Sequence, residues 1–262
     1  MRVERVLCPN PGPYTGRGTN TYVIADSGVA LILDPGPIIG IHLDAIRHAL
    51  GSDEVIGVAV THTHPDHAPA ANPLGNEFGV PVYGFRPGPE FEPSDTLAHG
   101  DVLEVGSYSL SVIHTPGHTD DHLCYLGDDV LFSGDHIISG STVILEDATA
   151  YMESLDVVDM VAPEVILTGH GERIEDGRAA IQAYIAHRTM REDQFVAAIA
   201  AGASSVGDIV DAVYTGLASA LVPAAMHQVG VVLQKLAKDQ RIDEWDGNVL
   251  AATRLSLSTG TS

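Results

Sequence analysis

His62, His64, Asp66 and His67 put four side chains that can bind metal into six consecutive positions, within Thr61-His62-Thr63-His64-Pro65-Asp66-His67. In an extended or turning segment His62 and His64 project to the same side, and Asp66 and His67 come round after Pro65 has bent the chain. Imidazoles with one carboxylate suit zinc, and also iron or manganese. One cation takes about four or five ligands, so four in so short a span point to two adjacent cations on a shared scaffold. Left without metal, buried imidazoles and a carboxylate packed together would be expensive. His118, Asp135 and His170, each just beyond an apolar run, complete a set of seven.

Two such cations lower the pKa of a bridging water toward neutrality and so supply hydroxide as a nucleophile. That chemistry serves carbonyl and phosphoryl centres alike, so the residues read as a metal-dependent hydrolase and leave the bond open. Asp66 is also placed to orient the hydroxide or return a proton to the leaving atom.

These side chains need a frame. Tyr22-Val23-Ile24-Ala25 and Ala30-Leu31-Ile32-Leu33 read as a hairpin that ends in the sharp turn Asp34-Pro35-Gly36. Ile41 to Leu50 has helical spacing, and Val55 to Val60 is the apolar run of a strand buried on both faces. The same grammar recurs at Leu110–His114, Val130–Phe132 and Val165–Leu167, each followed by a turn that presents a His or Asp. A buried strand ends four times, and each time a candidate ligand follows.

From Asp176 the pattern turns helical. Ala179 to Ala201 carries apolar residues at helical spacing and stops at Gly202. Ser205-Val206-Gly207-Asp208 resembles a capping box and opens a short helix to Tyr214. A third helix is expected from Pro223 to about Lys238, then strand and turn over Arg241–Asn248 and a polar tail over Leu255–Ser262. That order is winged-helix grammar. The reading is a catalytic unit over residues 1–188 and a helical, winged-helix-like unit over 189–262, divided within or just after a shared helix.

Composition limits the partners. The chain has 262 residues, with 13 Lys+Arg against 35 Asp+Glu and a formal charge of −22. Arg86 is the only Lys or Arg between His48 and Glu172. This argues against a nonspecific nucleic-acid coat, although bound cations can reverse the potential at a site. Met190 to Ser262 holds five Lys/Arg and eight Asp/Glu, and the third helix opens on Pro223-Ala224-Ala225-Met226-His227, so duplex DNA is not an expected partner. The C-terminal unit is expected instead to wall one side of the cleft or to pack against another subunit as a homo-oligomer contact. No apolar run reaches membrane-spanning length, and Met1–Arg5 lacks the apolar core of a secretory signal, so a cytoplasmic location is expected. Cys8 and Cys124 form no CxxC, and Cys124 reads as a core residue.

Taken in order, the HxHxDH run, Thr115-Pro116-Gly117-His118-Thr119, Ser133-Gly134-Asp135 and Gly169-His170-Gly171 resemble the metallo-β-lactamase superfamily. The resemblance implies an α/β (α+β) fold, an αββα sandwich with a dinuclear centre at the edge between its two sheets. It places His62, His64 and His118 on the first metal, Asp66, His67 and His170 on the second, and Asp135 between them. Asp34 resembles the superfamily's first motif, in which an Asp supports the ligands from behind. A narrower resemblance, to the β-lactamase-like protein 2 family, rests on Asn10-Pro11-Gly12-Pro13, Gly18-Thr19-Asn20-Thr21-Tyr22, Thr119-Asp120-Asp121-His122 and His187-Arg188 to Arg191-Glu192. It implies a winged-helix-like C-terminal domain. It also implies either endoribonuclease action on single-stranded RNA or, as in related fungal enzymes, cleavage of polyketide thioesters. Ala68-Pro69-Ala70-Ala71 stands where relatives place a Gly pair, so the adjoining loop is expected to differ.

The first functional expectation is phosphodiester cleavage in single-stranded RNA, and the alternative is a thioester or ester hydrolase of the glyoxalase II or polyketide-release type. A noncatalytic winged-helix regulator of DNA is the outside alternative, opposed by the intact ligand set. His122 and His114 are expected to support the site rather than bind metal. Asp120 and Asp121 either back up histidines or cap the turn. His187 and Arg188 either reach a substrate anion or form salt bridges between helix and domain. Thr19-Asn20-Thr21 is expected to anchor the first hairpin.

Overall fold

The first hairpin decides the layering. Strands β2 (Asn20–Asp26) and β3 (Val29–Leu33) pair antiparallel, and their side chains alternate between two cores. Tyr22, Ile24, Leu31 and Leu33 face a second sheet, while Val23, Ala25, Ala30 and Ile32 face helices. In the computed structural model, which describes residues 1–243, this alternation extends into a helix–sheet–sheet–helix sandwich.

The first sheet has the order β1-β2-β3-β4-β5-β6, with β1 at Arg2–Leu7, β4 at Glu54–Ala59, β5 at Val82–Gly84 and β6 at Asp95–Thr96. Helix α1 (Gly40–Leu50) joins the parallel pair β3–β4, and α2 (Ala71–Phe78) joins β4–β5, the crossovers that parallel neighbours require. Both helices bury Ile46, Ala49, Leu50 and Leu74 against the outer face of this sheet. The second sheet has the order β11-β10-β9-β8-β7, from β7 (Val102–Val105), β8 (Tyr108–His114), β9 (Leu123–Gly127), β10 (Val130–Gly134) and β11 (Val165–Thr168). Helix α3 (Ala148–Val161) links the parallel pair β10–β11 and buries Tyr151, Leu155 and Val158.

Helix α4 (Gly177–Ala200) runs unbroken through residue 188 and shares the core beneath α3. Helix α5 (Val206–Val213) opens with both arms of the expected capping box between Ser205 and Asp208. A 3-10 turn at Ser219–Leu221 leads into α6 (Val222–Lys238), whose Val229 and Leu233 are fully buried. The strand and turn expected over Arg241–Asn248 lie mostly outside the described residues, and the tail at Leu255–Ser262 lies wholly outside them. No described helix is long and apolar enough to cross a membrane.

Candidate metal centre

Strands β8, β10 and β11 run in one direction, so the turns after them open on one edge of the second sheet. His118, Asp135 and His170 leave from those turns, and the HxHxDH segment leaves from the end of β4 in the facing sheet. Gly117 makes one of these turns feasible. Its φ is 133°, and a Cβ there would lie 2.4 Å from the Cα of Tyr151.

The seven expected side chains converge. His62 Nε2 lies 3.0 Å from His64 Nδ1, which lies 3.1 Å from His118 Nε2. Asp66 Oδ2 lies 3.1 Å from His170 Nε2 and 3.4 Å from His67 Nε2. Asp135 stands between the two groups. Its Oδ1 is 3.3 Å from His170 Nε2 and 3.5 Å from His67 Nε2, and its Oδ2 is 3.6 Å from His118 Nε2. In each of three overlapping triads, His62/His64/His118, His62/His67/Asp135 and Asp66/His67/His170, the candidate ligand atoms lie within 4.8 Å of one another.

The outward nitrogens fix how the rings present themselves. His118 Nδ1 donates to the Ile144 carbonyl at 2.6 Å, and His170 Nδ1 donates to the Gly18 carbonyl at 3.2 Å. A carbonyl only accepts, so the proton sits on Nδ1 and each Nε2 faces inward with a bare lone pair when the ring is neutral. His67 Nδ1 donates to Asp34 Oδ2 at 2.9 Å. Thr61 Oγ1 donates to the same Asp34 oxygen at 2.8 Å, so it accepts from His62 Nδ1, 2.9 Å away. Asp34 is 2% exposed and stands behind two imidazoles at once, His67 directly and His62 through Thr61.

Charge in the cluster is balanced locally. Burial, reinforced by neighbouring imidazoles, holds the His62 pKa well below its ordinary value and takes His64 to about 4. Burial also works against a charged His67, yet the carboxylates of Asp66, Asp34 and Asp135 override it and raise that pKa well above normal. His170 rises to about 9 against burial through its contacts with Asp135 and Asp66. Asp66 and Asp135 stay well below the usual carboxylate range despite burial, because His67 and His170 face them. The pocket therefore favours positive charge at its centre. Asp135 Oδ1 is buried without an aligned hydrogen bond, and a Cβ on Gly169 would fall 2.6 Å from it and 2.9 Å from His67 Cε1. Converging ring nitrogens, a carboxylate oxygen left over and space kept open by a glycine fit a pair of divalent cations.

His122 lies behind this cluster and outside its triads. Its Nε2 accepts the Asp135 backbone N–H at 3.1 Å, and its Nδ1 pairs with Thr115 Oγ1 at 2.9 Å. Asp121 braces the ligand loop by accepting from the Thr63 N–H at 3.1 Å and hydroxyl at 2.7 Å. Asp120 and His114 stand apart from it. Asp120 pairs with Arg86, and His114 stacks on Phe85 at 4.3 Å. Thr19-Asn20-Thr21 does more than anchor a hairpin, since Thr19 Oγ1 donates to Asp66 Oδ2 at 3.3 Å and Thr21 Oγ1 donates to the Asp34 carbonyl at 2.6 Å. Cys124 is fully buried. Sequence reasoning missed the Thr61 relay, the two carbonyl acceptors and His136, which is fully buried beside Asp135 with neither ring nitrogen paired. Only the Thr61 hydroxyl, at a strand end before the first ligand, offered a signal.

His64, Asp66, His118, Asp135 and His170 open onto a cavity of about 930 Å³. Val143, Leu145, Met152, Phe195 and Val232 give it apolar walls, and α6 contributes Ala224, Ala225 and Gln228. Gln228 ties α6 to the catalytic unit by donating to the Leu145 carbonyl at 3.0 Å. The C-terminal helices thus wall the cleft. Of the two readings of Arg188, the salt bridge does not form among the described residues. Arg188 donates instead to the Val143 carbonyl at 2.7 Å and lies 5.0 Å over the Tyr151 ring.

Residues 14–170 match the metallo-beta-lactamase superfamily, and residues 205–248 match the beta-lactamase associated winged helix domain. A beta-lactamase-like protein 2 homolog of Caenorhabditis elegans is 31% identical over 249 residues, covering 90% of this chain and 84% of its own. An atrochrysone carboxyl ACP thioesterase of Aspergillus chevalieri is 27% identical over 255 residues, covering 92% of this chain and 82% of its own. The crystal structure of a beta-lactamase domain protein from Burkholderia ambifaria superposes with a TM-score of 0.82 at 21% identity, over 97% of this chain and 91% of that one. With this fold, this cluster and these relatives, the chain belongs to the metallo-β-lactamase superfamily, as a metal-dependent hydrolase that carries the associated C-terminal winged helix.

Proposed function

We propose that the chain hydrolyses an ester or thioester with an apolar acyl part, using two divalent cations for which zinc is the first candidate and iron and manganese the others. The observation that carries this reading is the cavity. The centre opens onto apolar walls, and among the described residues Arg188 and Arg191 are the only Lys or Arg that line them, a local pair rather than a basic track. A single-stranded RNA track needs a basic groove with stacking platforms, which a chain of net charge −22 does not offer here. The Aspergillus chevalieri relative named as a thioesterase adds support. The α6 helix also lines the cavity and so is not displayed for groove reading, which speaks against a DNA regulator.

In this reading His62, His64 and His118 would hold one cation and Asp66, His67 and His170 the other, with Asp135 as the ligand available to either. When bound, such cations polarise a carbonyl and bring the pKa of water toward neutrality. The chain's own part is to orient and to move protons. Asp34 keeps His62 and His67 in the tautomers that present Nε2, and the Ile144 and Gly18 carbonyls do so for His118 and His170. Asp66 lines the cavity with its side chain 24% exposed, where its carboxylate can orient the attacking water and relay a proton toward the leaving sulfur or oxygen. The apolar walls keep water from the acyl part. We assign the catalytic unit to residues 1–188 and the winged-helix unit to 189–262, with the division inside α4.

The test is a parallel assay of the metal-loaded protein on S-acyl glutathione, acyl-CoA, a lactone and fluorescent single-stranded RNA. Chelator-sensitive turnover of an acyl substrate is the expected result. Cleavage of RNA alone would overturn the reading.

A further inference from the structure

Among the described residues Arg178, Arg188 and Arg191 form no ion pair with a carboxylate, and of these only Arg188 and Arg191 line the cavity. Arg2, Arg5, Arg47, Arg86 and Arg241 all form one. Glu192 stands one helical turn from Arg188, the spacing at which a pair forms, yet it is turned to Lys235 at 3.0 Å and Arg241 at 3.2 Å. Each guanidinium is instead held from the side. Arg188 lies over Tyr151 with Nη2 on the Val143 carbonyl, and its Nε has no acceptor. Arg191 lies 4.8 Å over the Tyr214 ring and donates to Gln194 Oε1 at 2.9 Å. The two positions are three residues apart on α4, so they share one face.

Arg188 is also tied closely to the centre. It grips the carbonyl of Val143, and His118 grips the carbonyl of the next residue, Ile144. Adjacent residues lie about 3.8 Å apart, which puts the guanidinium within roughly 10 Å of the His118 ring. We infer that Arg188 and Arg191 form an anion subsite, and that the substrate carries a carboxylate or phosphate one short chain from the bond that is cut. Planar guanidinium forks match either group through paired charge-assisted hydrogen bonds. Held on aromatic faces and away from competing carboxylates, they are oriented before the substrate arrives. The inference deepens, and rests on, the ester or thioester reading.

The test compares thioesters of one hexanoyl group on three thiols: mercaptopropionate, its methyl ester and a phosphate-ended analogue. The intact protein should prefer an anionic thioester over the neutral one by about tenfold or more in kcat/KM. Arg188→Met and Arg191→Met should each bring that ratio toward one, with Arg188→Lys retaining part of it. A purely structural arginine would lower turnover of all three and leave the ratio alone. Whichever anionic arm is favoured identifies the group. Decanoate binding, followed by calorimetry without turnover, should weaken about tenfold in Arg188→Met. No preference in the intact protein, or a preference that survives both Met substitutions, overturns the subsite. Arginine-dependent decanoate binding with no turnover of any thioester would keep the subsite and remove the hydrolytic reading on which it was built.

Discussion

Asp34 and His67 share a hydrogen bond of 2.9 Å, and it fastens the turn after β3 to the loop that carries most of the candidate ligands. Asp34 has a left-handed φ of 51°, and its Oδ1 accepts the Thr61 N–H at 2.6 Å while Oδ2 serves His67 and Thr61. The backbone adds a second tie, from the Gly36 N–H to the His67 carbonyl at 2.9 Å. One buried carboxylate therefore governs the orientation of rings that point into both halves of the cluster.

Asp34→Asn keeps the size and removes the charge, and an amide cannot accept at both of its ends. Zinc affinity, measured by competition with a chromophoric chelator, should fall about 10- to 100-fold, as it does when the partner behind a ligand is lost. Wild-type affinity in this variant would mean that Thr61 and the loop alone orient the rings.

How much of this was legible in the sequence depends on which atoms do the work. The ligand loop was readable because side chains of one chemistry crowd into six positions, and its frame was readable because apolar strands end where those side chains begin. Asp34 was visible only through family resemblance, since an Asp-Pro-Gly turn by itself says turn. The carbonyls of Gly18 and Ile144 were not legible at all, because any residue carries a carbonyl. Among the elements, β1 escaped because Arg2, Glu4 and Arg5 make it an edge strand with little burial. Helix α2 carries Asn, Pro and Gly in eight residues and forms through its contacts with β4 and β5 rather than through its own propensity. Helix α3 went unread, although Asp147, whose carboxylate accepts from the Thr149 and Ala150 N–H groups, and Tyr151, Leu155 and Val158 at helical spacing mark it.

Asp135 and His122 touch each other but should behave differently. Asp135→Ala removes the carboxylate that stands within 3.6 Å of both His118 and His170, so metal content by mass spectrometry should fall below two per chain and hydrolysis should cease. His122→Ala removes a partner of the Asp135 backbone and of Thr115 Oγ1 but no candidate ligand, and should keep most of the metal. An empty site in His122→Ala would make that imidazole a ligand.

Gly169→Ala tests the open space. Its φ is not left-handed, but the new methyl would lie 2.6 Å from Asp135 Oδ1 and 2.9 Å from the backbone carbonyl carbon of Gly134. Asp135 must then shift, and the turn after β10 must give as well. The expected outcome is reduced metal stoichiometry with the fold intact by circular dichroism, and full loading would show that the cluster has slack there.

His42, which pairs with Thr21 Oγ1 at 2.9 Å and is not among the candidate ligands, gives a pH signature. It is 1% exposed, and burial lowers its pKa from 6.5. As pH falls through 6.5 the unfolded chain takes up a proton that the folded chain resists, so unfolding becomes easier. Other buried histidines contribute the same sign, so the comparison is with His42→Gln. Urea unfolding from pH 7.5 to 5 should show the intact protein losing stability faster than the variant, with a difference in slope of up to about 1.4 kcal/mol per pH unit. Parallel curves would mean that His42 takes up its proton equally in the folded and unfolded chain.

Ala224 offers the most direct probe of the cavity as an acyl pocket. It sits in the first turn of α6, half-buried and facing the cavity, where a larger side chain has room that the packed core would deny it. Tryptophan there should fill part of the cavity without touching a candidate ligand, so metal content should stay at the wild-type level. If the apolar walls receive the acyl chain, kcat/KM for a decanoyl thioester should drop about tenfold or more, because a chain that cannot be buried forfeits its transfer free energy, at about 0.8 kcal/mol per methylene. An acetyl thioester, too short to reach the wall, should be little affected. Equal loss for both chain lengths would show that α6 acts through the centre itself, and loss for neither would place the acyl group elsewhere.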